Sequence, residues 1–100
     1  MRQLDLTPAA IADIRAIAAF SSKQFGHGQT DRYLEKFDNL FDRLLAHPGI
    51  GSAIPGNKGR YRTRCGSHIV YYRYDDHLLR ILRVIHMRRD QRKVFRAAND

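Results

Sequence analysis

Six arginines, Arg60, Arg62, Arg64, Arg73, Arg80 and Arg83, lie in the second half of the chain, interleaved with Tyr61, Tyr71, Tyr72 and Tyr74. The planar guanidinium fork grips phosphate or carboxylate at two points, and aromatic faces can stack bases. Such a row could therefore hold a nucleic-acid backbone or an acidic protein. The plainer explanation is a solvated sheet edge whose arginine stems cover tyrosine rings. A second group follows at His86-Met87-Arg88-Arg89-Asp90. An imidazole titrates near neutral pH and could serve as a general base, while neighbouring arginines could stabilise a pentavalent phosphate. Here the plainer explanation is a strand end whose histidine pairs with Asp90 or a backbone carbonyl. The sequence thus nominates His86, Arg88 and Arg89 for target contact, and Arg60, Arg62 and Arg64 after them. Were the protein a nuclease, His86, Arg83 and Arg88 would carry the chemistry.

Other chemistries find little support. The five histidines show no H-E-x-x-H spacing, and no glycine-rich phosphate loop opens a helix, so neither a metal nor a nucleotide cofactor is expected. Cys65 is the only cysteine, which excludes an internal disulfide. It precedes a turn glycine on the side of its strand opposite the arginines and reads as a small buried apolar residue.

The net charge of +8 is unevenly placed. Residues 1–57 carry six basic and six acidic side chains, whereas residues 58–96 carry twelve basic ones, mostly arginine, against Asp75, Asp76 and Asp90. A polyanion or an acidic protein is the expected partner of the second half.

The elements that must position these residues follow from periodicity. Leu4 and Leu6 flank Asp5 as in a short strand. Thr7 can cap the helix that Pro8 opens, with Ile11, Ile14, Ile17 and Ala18 as its apolar stripe, running to about Phe25. Gly26-His27-Gly28 breaks it. A second helix opens near Gln29 to Asp31, and Tyr33, Leu34, Phe37, Leu40, Phe41, Leu44 and Leu45 follow the helical template through it. The two helices should form an antiparallel hairpin. After His47-Pro48-Gly49 the chain reads as a loop through Gly59. The period then changes to two over Arg60 to Cys65, with a tight turn at Gly66-Ser67. Strands follow over His68 to Tyr74 and Leu78 to Ile85, joined by Asp75-Asp76-His77. The last two strands carry apolar residues on both parities and should be central in the sheet. The fold class is α+β: a strand, a helical hairpin, then a three-stranded antiparallel meander (βααβββ).

With 100 residues, 43% of them hydrophobic and 28% charged, the chain is expected to form one domain over 1–100, with residues 91–100 as a C-terminal tail. No apolar run is long enough to span a membrane, and the first residues lack a secretory signal, so a cytoplasmic protein is expected.

Several segments, in this order, are similar to the ParE branch of the RelE/ParE toxin superfamily. They are Leu6-Thr7-Pro8-Ala9-Ala10, the helix from Arg32-Tyr33-Leu34 to Leu44, His47-Pro48 with Gly51, Gly59-Arg60-Tyr61-Arg62, His68-Ile69-Val70-Tyr71-Tyr72-Arg73, and Ile81-Leu82-Arg83-Val84-Ile85-His86 followed by Arg88-Arg89-Asp90. The resemblance covers roughly residues 4–95. It implies the toxin of a bacterial type II toxin-antitoxin system, active in growth inhibition and plasmid stabilisation. Its partner would be a ParD-like antitoxin, acidic and partly disordered when free, in a hetero-oligomer. ParE-like members bind DNA gyrase and trap its cleaved DNA complex, with no catalytic activity of their own. RelE-like relatives are ribosome-dependent, metal-independent mRNA endoribonucleases. Such nucleases often place a tyrosine or histidine close to the C-terminus, where this chain has Phe95, and a phenyl ring has no hydroxyl proton to transfer. That departure favours the gyrase reading.

Overall fold

The structure is a computed structural model that describes residues 2–89 and 91. The expected tail, apart from Gln91, and the expected pairing of His86 with Asp90 lie outside the described residues. The elements run β1 (Gln3–Leu6), α1 (Pro8–Phe25), α2 (His27–Ala46), a 3-10 turn (Pro48–Ile50), β2 (Ser52–Ala53), β3 (Tyr61–Cys65), β4 (His68–Tyr74) and β5 (Leu78–His86). The sheet order is β1-β5-β4-β3-β2, with β1 parallel to β5 and the rest antiparallel. The α+β class, the helical hairpin, the meander and the central places of β4 and β5 are as expected from sequence. Strand β2 is the addition: two residues of the expected loop pair with β3, Ser52 opposite Arg62 and Ala53 opposite Tyr61.

Thr7 ties the first helix to the sheet. Its Oγ1 accepts from the Ala10 amide at 3.0 Å, satisfying one of the orphan amides of the first turn, and donates to the Leu82 carbonyl at 2.8 Å. The inward face of α1 differs from the expected stripe. Ala10 is fully buried, Ile14 and Ile17 pack on the core, and Ile11 is 38% exposed. Methyl-sized Ala10 lets α1 approach the sheet closely, which rotates Ile11 out of the contact.

The helices are separated by Gly26 alone. Its φ of 84° lies in the left-handed region that glycine enters without steric cost, so α2 starts at His27 rather than near Gln29. The Thr30 hydroxyl donates to the Gly26 carbonyl at 2.9 Å and lies 2.9 Å from Ser21 Oγ. A buried polar pair therefore holds the two helices where they meet. All seven apolar positions expected of α2 face inward, with Phe37, Leu40, Phe41 and Leu44 buried and Tyr33, Leu34 and Leu45 packed around them.

The sheet has two dissimilar faces. Ala10, Phe37, Leu40, Phe41 and Leu44 of the helices meet Cys65, Val70, Tyr72, Leu79, Ile81 and Val84 in the main core. Tyr71, Leu82 and Ile85 form a smaller cluster with Ile54 and Ile69 on the other face. Strict alternation in β5 would put Leu79 and Ile81 on the face opposite Val84. An irregularity in the β4–β5 ladder, where Tyr71 pairs with Arg83 but Tyr72 with Ile81, inserts one residue and brings all three to the helix side.

Candidate functional site

The residues nominated by the sequence divide between the two sides of the sheet. On β3, Arg62 stands opposite Tyr71 and Arg64 opposite Ile69, which puts both exposed guanidinium groups beside the small apolar cluster on the helix-free face. Arg64 Nε donates to the Gly66 carbonyl at 2.8 Å, and Arg62 bonds the Tyr71 phenol. Arg60 closes the loop before β3, its amide donating to the Asn57 carbonyl and its carbonyl accepting from Ile54.

Two other arginines of the sequence row are tied down. Arg80 Nε donates to Asp5 Oδ2 at 2.6 Å. Arg83 holds both carboxylate oxygens of Asp13, Nε to Oδ2 at 2.6 Å and Nη2 to Oδ1 at 2.9 Å, with each side chain 14% exposed. Asp13 Oδ2 also accepts the Val84 amide at 2.9 Å. Arg83 therefore pins β5 to α1 and has its fork committed.

The tyrosines do not form a platform for bases. Tyr61, Tyr72 and Tyr74 stack on one another with centroids 5.1–6.3 Å apart on the helix side. Tyr71 is buried on the other face, and its hydroxyl donates to Gln91 Oε1 at 2.7 Å. Burial raises the Tyr71 and Tyr72 phenols above their ordinary pKa.

His86 and Arg89 belong to the helix side. They line a groove of about 1070 Å³ between α1, α2 and the end of β5, together with Ile17, Phe20, Phe25, Arg32, Tyr33, Lys36 and His68. Phe20 and Phe25 are 64% and 59% exposed, so the α1 wall is apolar and open to solvent, while Arg32, Lys36 and Arg89 supply positive charge. Arg88 is exposed in the turn after β5, its amide donating to His86 Nδ1 at 3.1 Å.

Behind this groove sits a cluster that periodicity did not reveal. The Tyr33 hydroxyl lies 2.6 Å from His68 Nδ1 and accepts the Ser67 amide at 3.1 Å. The His68 and His86 rings meet nearly perpendicular, with centroids 5.1 Å apart. Burial first, and then His86, hold the His68 pKa below its ordinary value. Sequence placed Tyr33 only in the core stripe and His68 only at a strand start. The signals available were Phe20 and Phe25, large aromatic residues off the inward stripe of α1, which a helix with one buried face leaves in water.

Cys65 is buried and free, and its thiol is pushed up by burial. Among the described residues no group of three His, Cys, Asp or Glu side chains could hold a metal ion, and no helix is long and apolar enough to cross a membrane.

With this geometry established, the comparisons with known proteins decide the family. Residues 4–91 match the family model described as ParE toxin of type II toxin-antitoxin system, parDE. The chain belongs to the ParE toxin family. Toxin ParE1 of Caulobacter vibrioides is 32% identical over 88 residues, spanning 86% of this chain and 90% of that one. Among solved structures, the chromosomal ParDE toxin-antitoxin system from P. aeruginosa has a chain that superposes with a TM-score of 0.73 at 19% identity, over 86% of this chain and 96% of its own. YoeB, a dimer from Staphylococcus aureus, reaches 0.62 at 18% identity over 85% and 95%. At those identities the superpositions speak for a shared fold, which hosts more than one function. The protein is thus a type II toxin-antitoxin toxin built on the ParE fold.

Proposed function

We propose that this ParE-family toxin acts by binding DNA gyrase and trapping its cleaved DNA complex, without catalysis of its own. The observation that carries the reading is a basic face whose described strand residues include no histidine. Arg62 and Arg64 project from the helix-free face, while His68 and His86 lie on the helix side, in the groove with Arg32, Lys36 and Arg89 where we seat the antitoxin. Among the described strand residues of the arginine face there is no histidine, and the carboxylate of Asp5 is bound to Arg80. On that face, phosphate-binding groups without a histidine or a free carboxylate beside them suit a binding poison better than an RNA-cleaving site, which needs an acid or base within hydrogen-bond reach of the phosphate. The C-terminal arginines Arg88 and Arg89 add positive charge past the strand end, Arg89 on the helix side.

The test is plasmid supercoiling by purified gyrase with added toxin, scored for linear DNA after protease treatment. Linear DNA is expected, and it should fall away with the folded Arg88→Ala/Arg89→Ala variant. No linear product at saturating toxin, with cleaved message in a purified translation system, would overturn the reading in favour of ribosome-dependent endonuclease action.

The same reading includes neutralisation by an antitoxin, which we seat in the groove. Its apolar wall at Ile17, Phe20 and Phe25 and its positive rim at Arg32, Lys36 and Arg89 complement an acidic amphipathic segment. A second copy of this chain, itself at +8, would bring like charge to that rim. Phe20→Glu and Phe25→Glu should each weaken the complex with the antitoxin at least tenfold, since each buries a charge against an apolar contact; unchanged affinity would remove the groove from consideration.

A further inference from the structure

We propose that the part of the groove lined by His68, His86 and Arg89 receives one carboxylate side chain of the antitoxin, and that seating it places a proton on His68. This rests on the groove being the antitoxin's seat, as argued above.

The hydrogen-bond network assigns the tautomers. The Tyr33 oxygen already accepts the Ser67 amide, so its own hydrogen seeks an acceptor, and His68 Nδ1 at 2.6 Å is nearer than the Cys65 carbonyl at 3.3 Å or Ser67 Oγ at 3.2 Å. Neutral His68 then carries its hydrogen on Nε2. His86 Nδ1 accepts the Arg88 amide, so neutral His86 also carries its hydrogen on Nε2. Two imidazole N–H donors are thus held by residues lining the groove, alongside Arg89. The acidic residue of that lining is Asp13, whose oxygens are committed to Arg83 and the Val84 amide. Among the described residues, the groove offers donors and positive charge with no carboxylate free to meet them.

His68 can take a second hydrogen because of what its Nδ1 is doing. At His68 the 2.6 Å contact survives with its direction reversed: Nδ1 donates to the Tyr33 oxygen, and the phenol turns its hydrogen to the Cys65 carbonyl or Ser67 Oγ. With the groove empty, burial above all keeps His68 neutral near pH 7. The other groups facing it are Lys36 and Arg32 from α2, Asp13 from α1, Arg89 beyond β5, and the Cys65 thiol, held neutral by burial. The cations oppose a further charge, so His68 charges when an incoming carboxylate lies against it and displaces water. Binding then takes up a proton from solvent, and affinity falls as pH rises, by up to about tenfold per unit between the free and bound pKa values of His68.

The experiment is titration calorimetry of the full-length toxin with its cognate antitoxin at pH 7, in buffers of different ionisation heat, with affinities from pH 6 to 8. Uptake of about one proton is expected, lost in His68→Gln and reduced in Tyr33→Phe. A parallel NMR measurement follows the His68 ring through a pH titration, free and in complex, and keeps the test decisive should His68→Gln fail to fold. Its pKa must rise on binding. An unchanged His68 pKa, or proton uptake retained in folded His68→Gln, overturns the proposal while leaving the groove reading intact if Phe20→Glu still disrupts the complex. A complex indifferent to both Phe20→Glu and Phe25→Glu would overturn the groove reading and this proposal with it.

Discussion

Asp13 grips Arg83 at two points across the boundary between α1 and β5, and the same carboxylate accepts the Val84 amide. Removing one member of a largely buried pair strands the other, which typically costs about 3 kcal/mol or more. Asp13→Ala should be the more damaging change, because it also orphans the Val84 amide, and Arg83→Ala should follow at about 3 kcal/mol. Urea denaturation of the two single variants and the double variant would give a coupling energy above about 1 kcal/mol. Loss of toxicity in Arg83→Ala should then track loss of folded protein. Full stability with lost toxicity would instead make Arg83 a target contact.

Gly51 lies against Tyr72 for a steric reason. The Tyr72 hydroxyl donates to the Pro48 carbonyl at 2.6 Å and accepts the Gly51 amide at 3.1 Å. A methyl group at position 51 would collide with that hydroxyl and lie 2.8 Å from the Arg62 carbonyl. Gly51→Ala should destabilise by about 1–3 kcal/mol, and Tyr72→Phe, which leaves the Pro48 carbonyl without its donor, by a similar amount. In the double variant the hydroxyl clash is gone but the backbone clash persists, so the costs should sum to less than the two singles. Thermal unfolding of the three variants checks this.

The stability of the free toxin should depend on pH through His68. Its folded pKa is depressed by burial and by His86, so the folded state disfavours the charged ring. The associated stability is fully present above the unfolded value near 6.5 and declines as pH falls through 6.5 toward the depressed folded pKa. Denaturant midpoints should therefore drop between pH 7.5 and 5.5 in the parent and drop less in His68→Gln. Equal slopes in the two proteins would show that His68 is not the group responsible.

Periodicity carried the fold as far as periodicity is a property of single segments. The α2 stripe from Tyr33 to Leu45 and the bounds of β4 could be read directly, because each buries one regular pattern. Strand β2 could not, since two residues between glycines and a proline have no period, and their pairing with β3 is a long-range event. The inserted residue in β5 was likewise invisible: Leu79, Ile81 and Val84 share a face only because the ladder slips opposite Tyr71. The candidate site divided in the same way. Alternation put Arg62 and Arg64 together on one face, but nothing local told that Arg80 and Arg83 would be taken by Asp5 and Asp13, residues 75 and 70 positions away. The Tyr33–His68 contact spans 35 positions and joins a helix stripe to the start of a strand, a relation that exists only once the hairpin has packed on the sheet.

Arg62 and Arg64 offer the sharpest separation of stability from target binding. Both are exposed on the face away from the helices; Arg64 bonds the exposed Gly66 carbonyl, and Arg62 bonds the phenol of buried Tyr71. Replacing both by alanine should cost about 1–2 kcal/mol, because the Tyr71 hydroxyl keeps its bond to Gln91 when Arg62 is gone. If the basic face holds the gyrase-bound DNA, however, the double variant should trap far less cleaved plasmid, and the salt dependence of what remains should be shallower, because fewer phosphate contacts release fewer counterions. Supercoiling assays across a series of salt concentrations, with Arg88→Ala/Arg89→Ala alongside, would rank the two basic regions. Trapping equal to the parent at every salt concentration would exclude the β3 arginines from the contact and leave the turn after β5 as the place where the toxin meets its target.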